Sequence, residues 1–290
     1  MKVSGFTFVR NGVKFDYPFI ESIRSVLPVC DELIVAVGNS DDDTLERIKK
    51  INDPKIKIIE TVWDDTLREG GMVLADETNK ALDAISSDSD WAFYAQADEV
   101  FHEKDMEAIR QAMLEYKDDL RIEGLLFQHI NFFGSYDYIA DSHKWVKDEI
   151  RVIRNNKNIR SWKDAMSFRK GGKVLHVKKI DATIYHYGWV KDPRTQMAKR
   201  KEFEKLWHDD EWVEKNIAVA DEFDYQNIDV LSEFKGTHPA VMHERIQRAN
   251  WKFSFDPVKA LKVSSRIRFL NFVYRNTGWN IGKFKNYKKL

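Results

Sequence analysis

An acidic pair at the end of an apolar run is the feature of this sequence best suited to chemistry. Asp98 and Glu99 follow WAFYA, and Gln96 lies two residues before Asp98. If the run is a strand of a parallel sheet, its carboxyl end faces the cleft where α/β proteins bind ligands. Carboxylate oxygens are preferred ligands of Mg²⁺ and Mn²⁺, so we predict Asp98 as a metal ligand. The alternative interpretation is an acidic start to a helix expected over 103–116.

A histidine and a further aspartate come later in the chain. His186 lies within IYHYGW, and its imidazole is a competent Mn²⁺ ligand if the fold brings it beside Asp98. The alternative is a core histidine whose ring nitrogens are hydrogen-bonded within the protein. Asp164, in SWKDAM, precedes an apolar run and is a candidate general base that takes a proton from a hydroxyl group. The alternative for Asp164 is an aspartate in a solvated turn.

Hydroxyls and carboxylates also follow the apolar run ELIVAV. The segment GNSDDDT, residues 38–44, contains Ser40 and Asp42, whose oxygens could bind a ribose or a base. The same segment could cap the helix that continues through Leu45, and both roles can hold together. Cys30, the single cysteine, stands in an apolar stretch and is interpreted as a small core residue.

The apolar pattern of the first half predicts the frame that positions these side chains. Runs typical of strands alternate with amphipathic stretches typical of helices. The strand-like runs cover residues 4–10, 32–38, 55–61, 90–100 and 123–133. This alternation favours an α/β fold with a mostly parallel, Rossmann-like central sheet flanked by helices. Three polar clusters would then meet at the carboxyl ends of strands: Asn11, 39–43 and 96–99.

The second half of the chain has a different pattern. Short strand-like runs at 149–155, 173–180 and 182–189 lack long helices between them, which indicates an antiparallel addition to the sheet. From Pro193 onward the pattern is helical, with proline in the first turn, where its missing N–H costs nothing. We therefore expect a main domain over 1–192 and a helical C-terminal extension over 193–290.

Charge is distributed unevenly along the chain. The 47 Lys and Arg residues balance 47 Asp and Glu residues, yet residues 257–290 hold nine basic residues and no acid. Aromatic residues interleave with them, a pattern typical of a basic amphipathic helix on a membrane surface. A helix packed on the main domain with a solvated basic face is the alternative. Nucleic acid is not expected as a partner, because the rest of the chain is acidic and has no nucleic-acid-binding motif.

The sequence shows neither a signal peptide nor an apolar run of transmembrane length. We therefore expect a cytoplasmic protein that makes peripheral contact with the inner membrane face.

Four of the motifs, taken in order, resemble family 2 glycosyltransferases. They are Asn11 in FVRNG, the Ser40-x-Asp42-x-Thr44 spacing after ELIVAVG, DWAFYAQADEV, and IYHYG. Together they span residues 3–190. The likeness is closer to the bacterial branch that builds lipopolysaccharide core and capsule.

The resemblance implies a GT-A fold, with residues 1–192 as the catalytic domain. It implies inverting transfer of a sugar from a nucleotide-sugar donor, expected to be a UDP-sugar, to a hydroxyl of a glycan or lipid-linked acceptor. It also implies that Asp98 and His186 bind Mn²⁺ or Mg²⁺ and that Asp164 is the base. The nucleotide contacts that it implies come from Asn11, Ser40, Asp42 and Gln96.

Two departures from the family pattern keep other functions open. Gln96 stands where the first acid of the D-x-D metal motif is expected, and Val37-Gly38 replaces the aspartate pair before the Ser40 spacing. One alternative is a GT-A domain that binds a nucleotide sugar or a glycan without turnover. Another is a nucleotidyltransferase, although VRNG, with the single Gly12, is a poor version of a glycine-rich triphosphate loop.

Overall fold

The fold is built on a sheet whose strand ends carry the predicted polar clusters. The computed structural model describes residues 1–67, 69–217, 220–256, 264–277, 281–282 and 285–290. These residues form a sheet of thirteen strands. In chain order they are β1 Val3–Val9, β2 Glu32–Gly38, β3 Ile56–Thr61, β4 Trp91–Tyr94, β5 Glu99–Phe101, β6 Gly124–Phe133, β7 Ser135–Ala140, β8 Asp148–Arg154, β9 Ile159–Trp162, β10 Ser167–Lys170, β11 Lys173–Trp189, β12 Leu231–Glu233 and β13 Tyr287–Lys289.

The strand order confirms the predicted α/β class. Neighbouring strands run β3-β2-β1-β4-β8-β6-β11-β10-β9. From β3 to β11, four of the six neighbouring pairs are parallel, and β8 is antiparallel to both β4 and β6. The central sheet is therefore mostly parallel, and the second half of the chain adds antiparallel strands to it.

Helices cover both faces of the central sheet. In chain order they are α1 Phe19–Val26, α2 Thr44–Lys49, α3 Met72–Asp83, α4 Met106–Glu115, α5 Pro193–Glu204, α6 Asp210–Asn216, α7 His243–Gln247 and α8 Ser265–Thr277. Apolar residues of α1, α2 and α4, such as Ile23, Ile48 and Ile109, join one buried cluster with alternate residues of β1 and β2. Ala81 and Leu82 of α3 join a second cluster with Ile34 and Ala36. β2 is thus buried on both faces, which explains its continuous β-branched run.

Two strand predictions were wrong in detail. The run over 90–100 forms two strands, because the chain turns at Gln96, where the Glu99 N–H donates to the Gln96 carbonyl at 3.0 Å. The runs over 173–180 and 182–189 form the single strand β11, whose pairing with β6 is irregular between Lys179 and Thr183. The apolar pattern of the sequence is interrupted at the same place, which is why it predicted two strands.

A helix, α5, begins at Pro193 as predicted, with this proline in its first turn and Asp192 as its cap. The Asp192 side chain accepts hydrogen bonds from the Arg194 and Thr195 N–H groups. The extension also adds two short strands, since β12 pairs with β7 and β13 pairs with β11. The division at residue 192 stays a prediction. Of the basic segment 257–290, residues 257–263, 278–280 and 283–284 lie outside the described residues.

No helix among the described residues is both long enough and apolar enough to cross a bilayer.

Candidate active site

A cleft of about 1230 Å³ opens at the carboxyl ends of the parallel strands. Asn11 follows β1, Asp64 follows β3, and Gln96 and Asp98 follow β4. Helix α5 forms another wall of the cleft. The cleft therefore lies where α/β sheets bind ligands.

Asp98 and His186 are brought together by the pairing of β5 with β11. In this antiparallel pair Glu99 lies opposite His186, and the Tyr187 N–H donates to the Asp98 carbonyl at 2.8 Å. Asp98 Oδ2 and His186 Nε2 are 3.5 Å apart. His186 therefore lies beside Asp98, which is the condition that its predicted role required. The helix-start alternative for Asp98 and Glu99 is not seen, because the His102 side chain caps the following 3₁₀ turn.

The ring of His186 is oriented by an amide from β6. Asn131 Nδ2 donates to the Val146 carbonyl at 3.0 Å, which turns Asn131 Oδ1 toward the histidine. Asn131 Oδ1 lies 3.0 Å from His186 Nδ1. His186 Nδ1 contacts this oxygen, which leaves Nε2 facing Asp98. In metal-binding histidines, a hydrogen bond at the ring nitrogen that does not bind the metal fixes the tautomer.

Gly188 keeps the space between Asp98 and His186 open. A Cβ atom at Gly188 would lie 2.5 Å from His186 Nε2 and 2.6 Å from Asp98 Oδ2. These two atoms are the groups that would bind a ligand. A residue larger than glycine at position 188 would therefore occupy the space that the ligand needs.

Lys199 of α5 is the cation closest to this pair. Its Nζ donates to the Gly188 carbonyl at 3.1 Å and lies 3.4 Å from Asp98 Oδ2. It also lies 4.7 Å from the centre of the Tyr17 ring. Burial opposes ionisation of Asp98, but His186 and Lys199 outweigh it and hold the pKa of Asp98 well below its usual range. Asp98 is therefore a carboxylate at any physiological pH.

A divalent cation fits Asp98 and His186 when a ligand supplies the remaining oxygens. Mg²⁺ and Mn²⁺ sites commonly combine one or two protein ligands with substrate phosphates. The open space at Gly188 and the orientation of the His186 ring suit such a site. Among the residues that the structure describes, no group of three or more His, Cys, Asp or Glu side chains could hold a metal alone.

Asp164 enters the cleft from the turn between β9 and β10. The residues on either side, Lys163 and Ala165, have φ values of 54° and 59°, a strained conformation for residues with a Cβ. Asp164 Oδ1 is buried, and no hydrogen-bond partner for it is found in the described structure. Burial raises the pKa of Asp164. A carboxylate held in this way is a suitable proton acceptor, and it is not the solvated turn aspartate of the alternative interpretation.

The predicted nucleotide contacts divide into two groups. Gln96 and Asn11 line the cleft, whereas Ser40 and Asp42 do not. Ser40 Oγ accepts from the Asn11 N–H at 3.0 Å, and Asp42 Oδ2 accepts from the Lys14 N–H at 2.7 Å. The Ser40 and Asp42 side chains thus join the loop after β2 to the loop after β1. Their predicted contact with a nucleotide stays untested.

A buried ionic network forms part of the cleft wall, which His129, Glu149 and Arg151 line. Arg151 Nε and Nη2 donate to the two oxygens of Glu99 at 2.7 and 2.6 Å, and His129 Nε2 lies 3.4 Å from Glu99 Oε1. Burial opposes ionisation of Glu99, but Arg151 and His129 lower its pKa to about 2. Glu149 Oε2 is 3.8 Å from Arg151, and burial raises the pKa of Glu149 to about 8. Glu99 is therefore a structural anion, and Glu149 is largely protonated at neutral pH.

An aromatic and charged group lies at the end of the cleft formed by β1 and β3. The Arg10 guanidinium lies 5.3 Å from the centre of the Trp63 ring and donates to Asp65 Oδ1 at 3.2 Å. The Trp63 Nε1 atom is buried, and no partner for it is found among the described residues. A flat ring with neighbouring donors and acceptors can bind a planar base.

Four residues of the cleft were not predicted from the sequence: Lys199, Trp63, Glu149 and Arg151. Arg151 had a signal, since a charged residue inside the apolar run EIRVIR must find a buried partner. Trp63 follows β3 directly and could have been found by the same strand-end rule as Asn11. Lys199 lies in a highly charged helix, so the sequence pattern does not show that this lysine is buried while its neighbours are not.

Comparisons with known proteins give distant structural likenesses. No protein-family model and no curated protein matches the chain. Residues 1–349 of TarS from S. aureus are 14% identical, over 76% of this chain and 67% of that one, with a TM-score of 0.39. This chain spans 41% of the longer TarS structure.

Two further solved structures are similar at the same level. Glucosyl-3-phosphoglycerate synthase from Mycobacterium tuberculosis, in complex with Mn²⁺, UDP and phosphoglyceric acid, is 18% identical over 46% of this chain and 43% of that one, with a TM-score of 0.30. The 4-diphosphocytidyl-2C-methyl-D-erythritol synthase from Anaerococcus prevotii DSM 20548 is 11% identical over 95% of this chain and 96% of that one, with a TM-score of 0.33. Because all three TM-scores are below 0.5, the function has to be inferred from the cleft itself.

Proposed function

We propose that this protein is a GT-A glycosyltransferase that moves a sugar from a nucleotide-sugar donor to an acceptor hydroxyl. The observation that carries the proposal is one cleft lined by the open Asp98–His186 pair and by the partly buried Asp164, whose Oδ1 atom has no hydrogen-bond partner among the described residues. The pair would bind the cation that accompanies a diphosphate leaving group. Asp164 would accept the proton of the acceptor hydroxyl.

The reaction that fits these residues is a single displacement. The acceptor oxygen attacks the anomeric carbon, the bond from that carbon to the diphosphate oxygen breaks, and the nucleoside diphosphate leaves. Asp164 takes the proton of the acceptor hydroxyl. Asp98 and His186 would hold Mn²⁺ or Mg²⁺, which when bound neutralises charge on the diphosphate. A single displacement inverts the sugar, in agreement with the resemblance to family 2 enzymes.

The nucleotide would lie toward the ends of β1 and β3. Trp63 offers a ring for the base, and Arg10 and Asn11 offer polar groups beside it. Gln96 also lines the cleft, and its amide would bind a ribose hydroxyl. We propose a UDP-sugar as the donor, because UDP-sugars are the commonest donors of enzymes of this kind.

The acceptor would be a glycan or a lipid-linked glycan of a bacterial surface polysaccharide, and helix α8 supports contact with a lipid surface. Phe269 and Phe272 are 60% and 64% exposed on this helix. Arg266 and Arg268 are exposed on either side of the two rings, which is the pattern of a helix in the interface of an anionic membrane. The opposite face is anchored by Asn271, whose Oδ1 accepts from the His143 N–H at 2.8 Å.

A nucleotidyltransferase is the second candidate, because it would also use a nucleotide cleft with a carboxylate-bound cation. It would release inorganic diphosphate from a nucleoside triphosphate. The loop after β1 contains Arg10, Asn11 and Gly12, which gives few free N–H groups for a triphosphate, since the Asn11 and Gly12 N–H groups already donate to Ser40 and Thr44. A catalytically inactive domain that binds a nucleotide sugar is the third candidate.

Calorimetric titration with Mn²⁺ tests the proposed class of ligand. The ligands are the diphosphates of uridine, guanosine, cytidine and thymidine, their sugar derivatives and the matching triphosphates. We expect one nucleoside diphosphate and its sugar derivative to bind competitively, and we expect Asp98→Ala to weaken both. Binding of none of them, or of a triphosphate alone, would contradict the proposal.

A further inference from the structure

Lys199 is the feature of the cleft that the predicted metal site does not explain. It comes from α5, outside the expected 1–192 domain, yet its ammonium reaches the same carboxylate oxygen of Asp98 as His186 does. The Lys199 and Asp98 side chains are each only 14% exposed. Placing an ammonium in so enclosed a position costs free energy unless its hydrogen bonds are met.

The described residues leave one of the three Lys199 donors for a ligand. Only the Gly188 carbonyl and Asp98 Oδ2 lie within hydrogen-bond distance of Nζ in the part of the chain that the structure describes, at 3.1 and 3.4 Å. An ammonium has three N–H donors. The contact with Asp98 is also longer than the 2.7–2.9 Å typical of a charge-assisted hydrogen bond. The ion pair is therefore loose, and Lys199 can approach a second anion.

We propose that Lys199 directly binds the diphosphate of the nucleotide-sugar donor and stabilises the charge that develops on it as its bond to the sugar breaks. This inference rests on the proposed function. A diphosphate held at Asp98 and His186 lies beside Lys199, because all three polar groups converge on the space next to Gly188. The lysine keeps this position before the donor arrives, since Asp98 and the Tyr17 ring hold it there.

The ammonium also improves the charge balance of the site. A divalent cation beside Asp98 leaves one net positive charge, whereas a nucleoside diphosphate carries more than one negative charge. Lys199 supplies a further positive charge that does not depend on metal. Such fixed charges, aimed at the leaving group, stabilise the transition state without reorganisation.

Isothermal titration with inorganic diphosphate and with UDP, in excess EDTA, tests the inference without turnover. The proteins compared are the wild type, Lys199→Met, Lys199→Arg and Lys201→Met. Lys201 is on the same helix and does not line the cleft, so it is the matched control for loss of one charge. We expect Lys199→Met to weaken both ligands at least tenfold, Lys199→Arg to stay within about threefold, and Lys201→Met to match the wild type.

Uridine separates a direct contact from a structural role, because it lacks the diphosphate. Its affinity should be equal in the wild type and in Lys199→Met, and thermal unfolding should show that both variants at position 199 are folded. Equal diphosphate affinity in the wild type and Lys199→Met would overturn the inference. So would equal losses for uridine and UDP, or a wild type that binds diphosphates only when Mn²⁺ is present. A wild type that binds no nucleoside diphosphate even with Mn²⁺ would instead contradict the proposed function.

Discussion

At the scale of single residues, the cleft places carboxyl groups in three different electrostatic surroundings. Asp98 is held ionised by His186 and Lys199, and Glu99 by Arg151. Glu149 is buried and Asp164 is partly buried, and burial raises the pKa of both carboxyl groups. Groups with separated pKa values in one site can take different roles in catalysis. This separation follows from contacts between distant strands, so the sequence could suggest the acids but not their states.

Replacing Asp164 with asparagine should remove the proton acceptor and leave the donor site intact. We expect kcat to fall by about 10²- to 10⁴-fold, the usual contribution of a general base, with little change in donor affinity. Because burial raises the pKa of Asp164, the acidic limb of the wild-type profile of kcat against pH should lie above the ordinary aspartate value of 3.8. Steady-state kinetics across pH measures both effects. A variant with wild-type kcat would exclude Asp164 as the base.

Replacing Glu149 with glutamine should change how stability depends on pH. The folded protein holds this proton up to a pKa of about 8, whereas an unfolded glutamate releases it near 4.5. The folded state therefore binds more protons between these values, and the free energy of unfolding of the wild type falls as pH rises through this range. Glutamine cannot ionise, so the Tm advantage of Glu149→Gln over the wild type should grow from pH 5 to about pH 8.

Thermal unfolding at several pH values, with the exposed Glu214→Gln as control, measures this effect. A constant Tm difference between Glu149→Gln and the wild type would show that Glu149 ionises normally in the folded protein.

At the scale of elements, the site depends on the antiparallel pairing of β5 with β11. The sequence predicted one strand where the chain forms β4, a turn and β5. Because of that turn, the Asp98 side chain lies in the cleft and the Glu99 side chain is buried against Arg151. Apolar patterning cannot show such a turn, because WAFYA and the following Val100 and Phe101 are all buried. The alternation of strands and helices in the first half could be predicted from the sequence, since buried strands give continuous apolar runs.

Gly188→Ala should disturb the site while leaving the fold in place. The new Cβ would lie 2.5 Å from His186 Nε2 and 2.6 Å from Asp98 Oδ2, and both are ends of side chains that can shift. We expect Mn²⁺ and nucleoside diphosphate affinities to fall at least tenfold, with far-UV circular dichroism unchanged. Titration calorimetry measures the affinities. Wild-type affinities in this variant would mean that ligands do not meet Asp98 and His186 in the way proposed.

At the scale of the whole molecule, the cleft is assembled from both the sheet and the C-terminal extension. Helix α5 contributes Lys199, and β12 and β13 attach the extension to β7 and β11. The sequence indicated a helical extension but not its part in the cleft, because such packing depends on long-range contacts. The buried pair of Arg151 and Glu99 links β8 to β5 at the wall of the cleft.

Arg151→Met should destabilise the protein strongly. It leaves Glu99 buried without its cation, and loss of one partner of a buried ion pair costs about 3–5 kcal/mol. The exposed pair of Arg160 and Asp83 is the control, and Arg160→Met should cost about 1 kcal/mol or less. Urea unfolding measures both free energies. A loss for Arg151→Met no larger than for Arg160→Met would show that the buried pair contributes little to stability.

The exposed face of α8 should bind anionic membranes. Co-sedimentation with phosphatidylglycerol vesicles should exceed that with phosphatidylcholine vesicles, because Arg266 and Arg268 attract anionic lipid and the two phenylalanines insert. The double variant Phe269→Ser, Phe272→Ser should lose most of this binding and keep its donor affinity. Equal sedimentation of wild type and variant with both vesicle types would exclude α8 as a membrane contact.

Donor turnover by the purified protein decides whether it is a glycosyltransferase. The panel of nucleotide sugars is incubated with Mn²⁺, with and without candidate acceptors, and products are separated by ion-exchange chromatography. We predict release of one nucleoside diphosphate together with free or transferred sugar, greatly reduced in Asp164→Asn and in Asp98→Ala. Consumption of a triphosphate with release of inorganic diphosphate would instead identify a nucleotidyltransferase. Tight donor binding without turnover, even with acceptors present, would contradict the enzymatic claim and leave a nucleotide-sugar-binding domain.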